Sequence, residues 1–318
     1  MDCILFDPLY KERVWGGDKF AHFLGRELPG VKKIGESWEI VDRAEDQSVV
    51  VNGEFKGLSL RELLKNHAPR VMGSHWDNTK PFPVLIKWLD CQEKLSLQVH
   101  PPADIARELG GEPKTENWYI ADAAPGALLM AGLKKGTKRA DFEAALSENN
   151  LESCIHEIKV IKGDSLFVPS GRFHAIGAGN LILEIQQNSD TTYRVYDWGR
   201  VGLDGKPREM HVQEALTSID FNDFEPEVVH PDESQKVALL ADAEIFNIER
   251  VRLAEEDPAM IFPRGEQPRI LSVVAGAIAV NDHAYPIGTN ILLPYAGEFR
   301  LKAASPSATI LITSNFTR

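Results

Sequence analysis

A chain of 318 residues, 43% hydrophobic and 26% charged, can bury a large core as one large or two moderate domains. Its net charge of −12 excludes the cation-rich surface that nucleic-acid binding requires, but two or three local cations would still hold a small phosphate ligand. No apolar run approaches the roughly 18 residues of a membrane span, and Met-Asp-Cys-Ile opens without a basic-then-apolar leader, so a cytoplasmic protein is expected.

In chain order, segment 1–35 is mixed, with Trp15-Gly16-Gly17 read as a tight turn. Residues 36–56 predict two strands, with Asn52-Gly53 as a hairpin signal. Leu60, Leu63, Leu64 and His67 have helical spacing, with Ser59 as N-cap and Glu62 three residues on, so a helix is predicted to about Val71. VLIKWLD at 84–90 predicts a buried strand interrupted by Lys87, a charge that is costly to bury without a partner or a ligand. A second helix is predicted over 137–150, capped by Thr137, and a third over 208–220. Strands fill 155–198, and after a polar linker at 222–236 further strands are predicted at 244–253, 269–275, 277–281, 290–293, 298–303 and 308–313. Cys3, Cys91 and Cys154 have no paired spacing, as in a reduced compartment.

Many short strands with Gly and Pro turns and few helices predict an all-β fold with helical insertions. Gly163 to Pro169 and Gly288 to Pro294 share a pattern of Gly, five residues and Pro, each leading into another strand. That repeat predicts two related barrels: a metal-binding domain at 1–225 and a metal-free domain at 226–318.

The chemistry concentrates in KLSLQVHPPADIARELGGEPKTENW, residues 94–118. Leu95, Leu97 and Val99 alternate with Ser96, Gln98 and His100, so one strand face is apolar and the other carries a hydroxyl, an amide and an imidazole. Pro101-Pro102 ends the strand, and Lys114 and Glu116 share a face further on. Such a polar face suits a metal site. Gly163 to His174, G-x5-P-x-G-x-x-H, resembles the second motif of the cupin superfamily of jelly-roll proteins, in which the histidine binds a metal. Together these segments nominate His100, Glu116 and His174 as ligands of zinc or another divalent first-row ion, with Gln98 either a ligand or a residue lining the site. His22, His67, His75, His156, His211, His230 and His283 lack ligand spacing.

SLQVHP, PKTENWY, the His174 motif and above all LEIQQNSDTTYRVYDWGR (183–200) resemble the class I phosphomannose isomerases, short bacterial type. WGG at 15–17, GESWEI at 35–40 and VLIKWLD at 84–90 also look like that family, and the likeness weakens beyond about residue 220. The resemblance implies a bicupin, two jelly-roll barrels, with one zinc ion per chain, that interconverts mannose 6-phosphate and fructose 6-phosphate. It places metal ligands at His100, Glu116 and His174, with Gln98 added in the longer enzymes, and an active-site arginine at Arg194. Lys114, Glu184 and Ser96 fall at polar cleft positions, and Arg200 at a basic one. Lys87 and Trp15 are further candidates for lining the substrate cleft.

An aldose–ketose isomerisation removes a proton beside a carbonyl and leaves an enediolate, so a divalent cation and an arginine are chemically apt. Lys114, Glu184 and hydroxide on the metal are all candidate bases. The expected partner is a small phosphosugar, in a monomer or weak homo-oligomer that binds neither nucleic acid nor membrane. Two rival readings are a non-catalytic sugar-phosphate-binding bicupin and another cupin metalloenzyme such as an iron oxygenase. The oxygenase usually begins with H-x-D/E, whereas here Pro101-Pro102 follows His100.

Overall fold

The computed structural model describes residues 1–30 and 33–317. The chain forms two compact units, one of residues 11–36 with 88–230, the other of residues 1–10, 37–87 and 231 onward. Where a cut at 225/226 was expected, the division falls at 230/231, and the C-terminal strands share their unit with two earlier segments. The acidic stretch taken as a linker is fastened down: Ser165 and Val229 exchange backbone hydrogen bonds (3.0 and 2.8 Å), and the Arg172 guanidinium clasps Asp223 through two 2.8 Å bonds.

The unit of residues 11–36 and 88–230 is built from β1 (Leu9–Gly17), β2 (Ile34–Ile40), β3 (Val84–Cys91), β4 (Leu97–Val99), β5 (Glu116–Ala123), β6 (Leu128–Leu133), β7 (Ile155–Lys159), β8 (Ser165–Val168), β9 (His174–Ile176), β10 (Asn180–Gln187) and β11 (Tyr193–Tyr196), the first three of which begin or end in the other unit. One sheet has the order β1-β2-β3-β10-β5-β8 and the second β11-β4-β9-β6-β7. Between them lies a core of Leu89, Trp118, Ile120, Leu129, Leu166, Ile176 and Ile182. Trp15, a candidate for lining the cleft, belongs to this core at 3% exposure. Trp15-Gly16-Gly17 is no turn either: it completes β1, and a Cβ on Gly16 would lie 2.5 Å from the Gly35 nitrogen, which is why the close approach of β1 to β2 needs glycine.

On the far side of the second sheet, Leu97, Val99, Phe142, Phe173 and Leu216 form another core. Helices Arg139–Ser147 and Val212–Ser218, each shorter than expected, supply part of it. The first is capped by the Asp141 carboxylate, which accepts from the Lys138 N–H at 2.9 Å, not by Thr137. The alternation predicted for β4 thus has a physical basis. Leu97 and Val99 anchor the helix-covered core, which turns Ser96, Gln98 and His100 to the other face.

The other unit holds β12 (Val237–Asp242), β13 (Asn247–Ala254), β14 (Met260–Phe262), β15 (Arg269–Ala275), β16 (Ala277–Val280), β17 (His283–Pro286), β18 (Asn290–Leu293), β19 (Phe299–Ala303) and β20 (Ser307–Ser314). Its sheets run β12-β13-β20-β15-β18 and β14-β19-β16-β17, with Leu271, Ile278, Ile291, Phe299 and Ile310 between them. Its helix Leu60–Val71 carries the expected cap: the Glu62 N–H donates to Ser59 Oγ (3.2 Å) and the Ser59 N–H to Glu62 Oε2 (2.9 Å). Asn52-Gly53 does not close a hairpin and instead opens a 3-10 turn at Gly53–Phe55. The Asn52 amide is used elsewhere, accepting from the Leu5 N–H (2.9 Å) and donating to the Cys3 carbonyl (2.8 Å).

The sequence repeat corresponds to a structural one. Gly163 (φ 98°) and Gly288 (φ 87°) occupy left-handed turns that a side chain would strain. Each donates its N–H over 2.8 Å to a strand carbonyl, Gly163 to Ile120 and Gly288 to Val273, and β8 then pairs with β5 as β18 pairs with β15. This register matches Glu116 with Arg269. Likewise the β4–β9 pair Gln98 and His174 matches the β14–β19 pair Phe262 and Phe299. Among the described residues, no helix is long and apolar enough to cross a membrane.

Candidate active site

Three elements bring three side chains together. His100 follows β4, Glu116 opens β5 and His174 opens β9, and their ligand atoms all lie within 4.8 Å of one another. Each histidine Nε2 is 3.6 Å from one oxygen of Glu116. All three residues are 0–1% exposed. Each imidazole Nδ1 donates to a backbone carbonyl, His100 to Thr191 (2.7 Å) and His174 to Arg172 (2.8 Å). Those bonds fix the tautomer and turn the Nε2 lone pairs inward, the arrangement a metal-ligating histidine needs.

The trio fits a divalent cation better than it fits itself. His100 Nε2 and Glu116 Oε1 are buried without a hydrogen-bond partner, a cost natural cores avoid unless something else satisfies them. Burial, aided by the Lys114 ammonium, pushes His100 down to about 3, and burial lowers His174 as well. Both are therefore neutral at pH 7, as ligands must be. Burial opposes ionisation of Glu116, but Lys114 and the two histidines outweigh it and hold the carboxyl well below its ordinary range. Two imidazoles and a carboxylate form an N2O set suited to zinc or a neighbouring first-row ion.

Around the trio the charges interlock. Lys114 Nζ lies 3.0 Å from Glu116 Oε2 and 3.9 Å from Glu184 Oε1. Burial works against the ammonium, yet these two carboxylates raise its pKa above the ordinary value. The Trp118 indole N–H donates to Glu184 Oε2 at 3.1 Å, and its ring meets His174 edge-on at 5.3 Å. Trp118 was not foreseen, although in PKTENWY it stands two residues from Glu116 and so shares its face.

Gln98 lies beside the trio, its amide nitrogen 3.3 Å from His174 Nε2. Ser96 Oγ donates to Gln98 Oε1 (3.2 Å), and Arg194 Nε donates to Ser96 Oγ (3.2 Å). A polar chain thus runs from the trio through Gln98 and Ser96 to Arg194. Burial, and after it Arg208, bring Arg194 down to about 10. Arg200 bonds Asp197 and donates to the Lys94 carbonyl (2.6 Å). Lys87 is placed in the other unit, 4% exposed on β3 with its ammonium 4.7 Å over the Trp38 ring, so it gains a cation–π partner.

Residues 4–131 match the family model of the phosphomannose isomerase type I catalytic domain. The mannose-6-phosphate isomerase ManA of Bacillus subtilis is 36% identical over 310 residues, 94% of this chain and 95% of that one. The solved structure of the mannose 6-phosphate isomerase from Bacillus subtilis superposes with a TM-score of 0.86 at 30% identity, covering 99% of this chain and all of that one. A mannose 6-phosphate isomerase bound with zinc and yttrium shares the fold, with a TM-score of 0.73 at 15% identity over 98% of this chain and 99% of that one. On the strength of near-complete coverage at more than a third identity, the chain belongs to the type I phosphomannose isomerase family.

Proposed function

We propose that this protein is a bicupin that interconverts mannose 6-phosphate and fructose 6-phosphate through a cis-enediolate, with one zinc ion held by His100, Glu116 and His174. Gln98 is a fourth ligand, or else it orients His174. The observation that carries this reading is the buried trio with inward-facing, unpartnered atoms, in a chain of this family. A bound cation supplies Lewis acidity, polarising a carbonyl and stabilising enediolate charge.

The chain's own groups supply the rest. Lys114 keeps its proton at neutral pH, because Glu116 and Glu184 hold its pKa up. That makes it a cationic donor to the sugar oxygens and a poor base. Glu184, steadied by the Trp118 N–H, is then the carboxylate that carries a proton between C1 and C2. Arg194 extends a bidentate fork toward an anionic oxygen, Ser96 holds that fork through its hydroxyl, and Arg200 adds positive charge. Tight walls around the trio exclude water, which strengthens each of these interactions. Lys87 and Trp15, buried against Trp38 and in the inter-sheet core, have no part in this scheme. A reducing cytoplasm and a monomer or weak homo-oligomer complete the reading.

The direct test is a coupled assay on mannose 6-phosphate before and after exhaustive chelation, with metal content measured alongside. We expect turnover to fall at least about a hundredfold on chelation and to return with zinc. Full activity in metal-free protein, or none in zinc-loaded protein, would contradict the proposal.

A further inference from the structure

The C-terminal strands enclose an interior face that changes character at one end. β13, β20 and β15 are neighbours, and their inward rows begin apolar, with Leu253 and Val251, Ile310 and Ile312, and Val273 and Leu271 in the core. Each row then turns polar in the same place, to Glu249 and Asn247, to Ser314, and to Arg269, which strand alternation keeps on that face. Asn247 is paired directly with Ser314 across the sheet. Arg269 opens β15 as Glu116 opens β5, and Gln267 precedes it by two residues as Lys114 precedes Glu116. This polar end is thus the counterpart of the end that holds His100, Glu116 and His174.

These side chains, with Met260, Phe262 and Ile312, line a cavity of about 320 Å³ formed wholly by residues between Leu239 and Asn315. That is the low end of the roughly 300–1,000 Å³ of small-molecule sites, room for one monosaccharide ring and not for an oligomer. A solvated sheet end would leave its polar groups in water. Here Asn247 Oδ1 is buried without a hydrogen-bond partner, Ser314 is 9% exposed and the Arg269 side chain 12%. An acceptor buried in this way lacks a donor, which a bound hydroxyl would supply.

Charge and donor type narrow the ligand. Arg269 is already ion-paired with Glu266 at 2.8 Å, and Glu249 adds a second carboxylate to one guanidinium, so a phosphate or carboxylate is disfavoured. A metal ion is disfavoured as well, because a guanidinium stands where the other unit has its ligand carboxylate. What is left is a wall of amides, a hydroxyl and a paired charge facing apolar side chains, and the Gln267 amide is held in place by accepting from the Asn315 N–H (3.0 Å). Such a wall offers donors and acceptors together, as the hydroxyls of a sugar require. We propose that the cavity between Asn247, Ser314, Gln267 and Arg269 on one side and Met260 and Phe262 on the other binds one neutral monosaccharide or polyol. This site is separate from the metal-binding trio and does not rest on the isomerase reading.

The test is the binding of D-mannose, D-glucose and D-sorbitol to the full-length protein, followed by saturation-transfer NMR. At least one should bind saturably, with a Kd below about 10 mM. Asn247→Leu, which keeps the volume and removes the amide, should weaken that binding about tenfold or more while turnover of mannose 6-phosphate stays within about twofold. His174→Ala should bind the neutral sugar as the unaltered protein does, and glucose 6-phosphate should not displace it. Saturable binding of none of the three, unchanged affinity in Asn247→Leu, loss of binding in His174→Ala, or displacement by glucose 6-phosphate would each overturn the site. If Asn247→Leu does not fold, Ser314→Ala makes the same comparison, a loss of affinity supporting the site and equal affinity refuting it.

Discussion

His100 shows how much one residue's surroundings decide. Its ring is buried, one nitrogen is committed to the Thr191 carbonyl, and the other faces Glu116 with Lys114 close behind. In metal-free protein this environment keeps the ring neutral down to about pH 3, whereas in the unfolded chain it would take up a proton near 6.5. Between those values the unfolded chain binds more protons, so stability is fully present above about 6.5 and is lost as the pH falls. Glu116, also lowered, acts in the same direction at more acid pH. Lys114, raised, works at the other extreme, where its stabilisation is lost only as the pH climbs through its folded value. Unfolding chelated protein in urea at pH 7 and pH 5 should show a loss of about 2 kcal/mol attributable to His100, and His100→Gln should remove that part of the loss. An equal or greater stability at pH 5 would mean that the ring is not held neutral.

At this scale the sequence was most legible where side chains do the chemistry. His100, Glu116 and His174 stood in motifs whose alternation and glycines forced them inward, and the structure brings them together. It was least legible where the partner is backbone. The Thr191 and Arg172 carbonyls that orient the imidazoles come with every residue type, so nothing in the letters marks them. Trp15 and Lys87 are hard to read for a related reason: an aromatic and a lysine serve equally well in a cleft, a core or a cation–π pair, and the letters do not distinguish these.

At the scale of elements, local signals were reliable when one side chain satisfied one orphan backbone group. The cap on helix Leu60–Val71 is such a case, since Ser59 and Glu62 answer each other's N–H groups. Ser59→Ala should cost about 1 kcal/mol and lower the thermal midpoint by a few degrees without touching turnover. A change in KM would place that helix closer to the chemistry than the cap implies. Asn52-Gly53 shows the opposite outcome. The dipeptide favours a tight hairpin, but the Asn52 amide is drawn to the backbone of Cys3 and Leu5, so tertiary bonding outweighs the turn preference. The short strands Met260–Phe262 and His283–Pro286 are not legible in the sequence because so few residues cannot establish a period; the first pairs with the distant Phe299–Ala303, while the second folds straight back on Ala277–Val280.

For the whole molecule, the internal repeat separates fold from function. The same turn, strand and pairing register occur in both units, so the framework does not require the metal ligands. Where one unit has Glu116, Gln98 and His174, the other has Arg269, Phe262 and Phe299, with Arg269 stacked 5.1 Å over Phe262 and ion-paired with Glu266 at 2.8 Å. A guanidinium and two phenyl rings offer a cation no lone pair, so binding capacity should be confined to one site per chain. The decisive measurement is a zinc titration of chelated protein with mannose 6-phosphate turnover followed at each addition. Activity should rise linearly and break at one ion per chain, and His174→Ala should show neither the tight uptake nor the activity. Turnover before any zinc is added, or a break at two ions per chain, would contradict a single catalytic centre made by His100, Glu116 and His174.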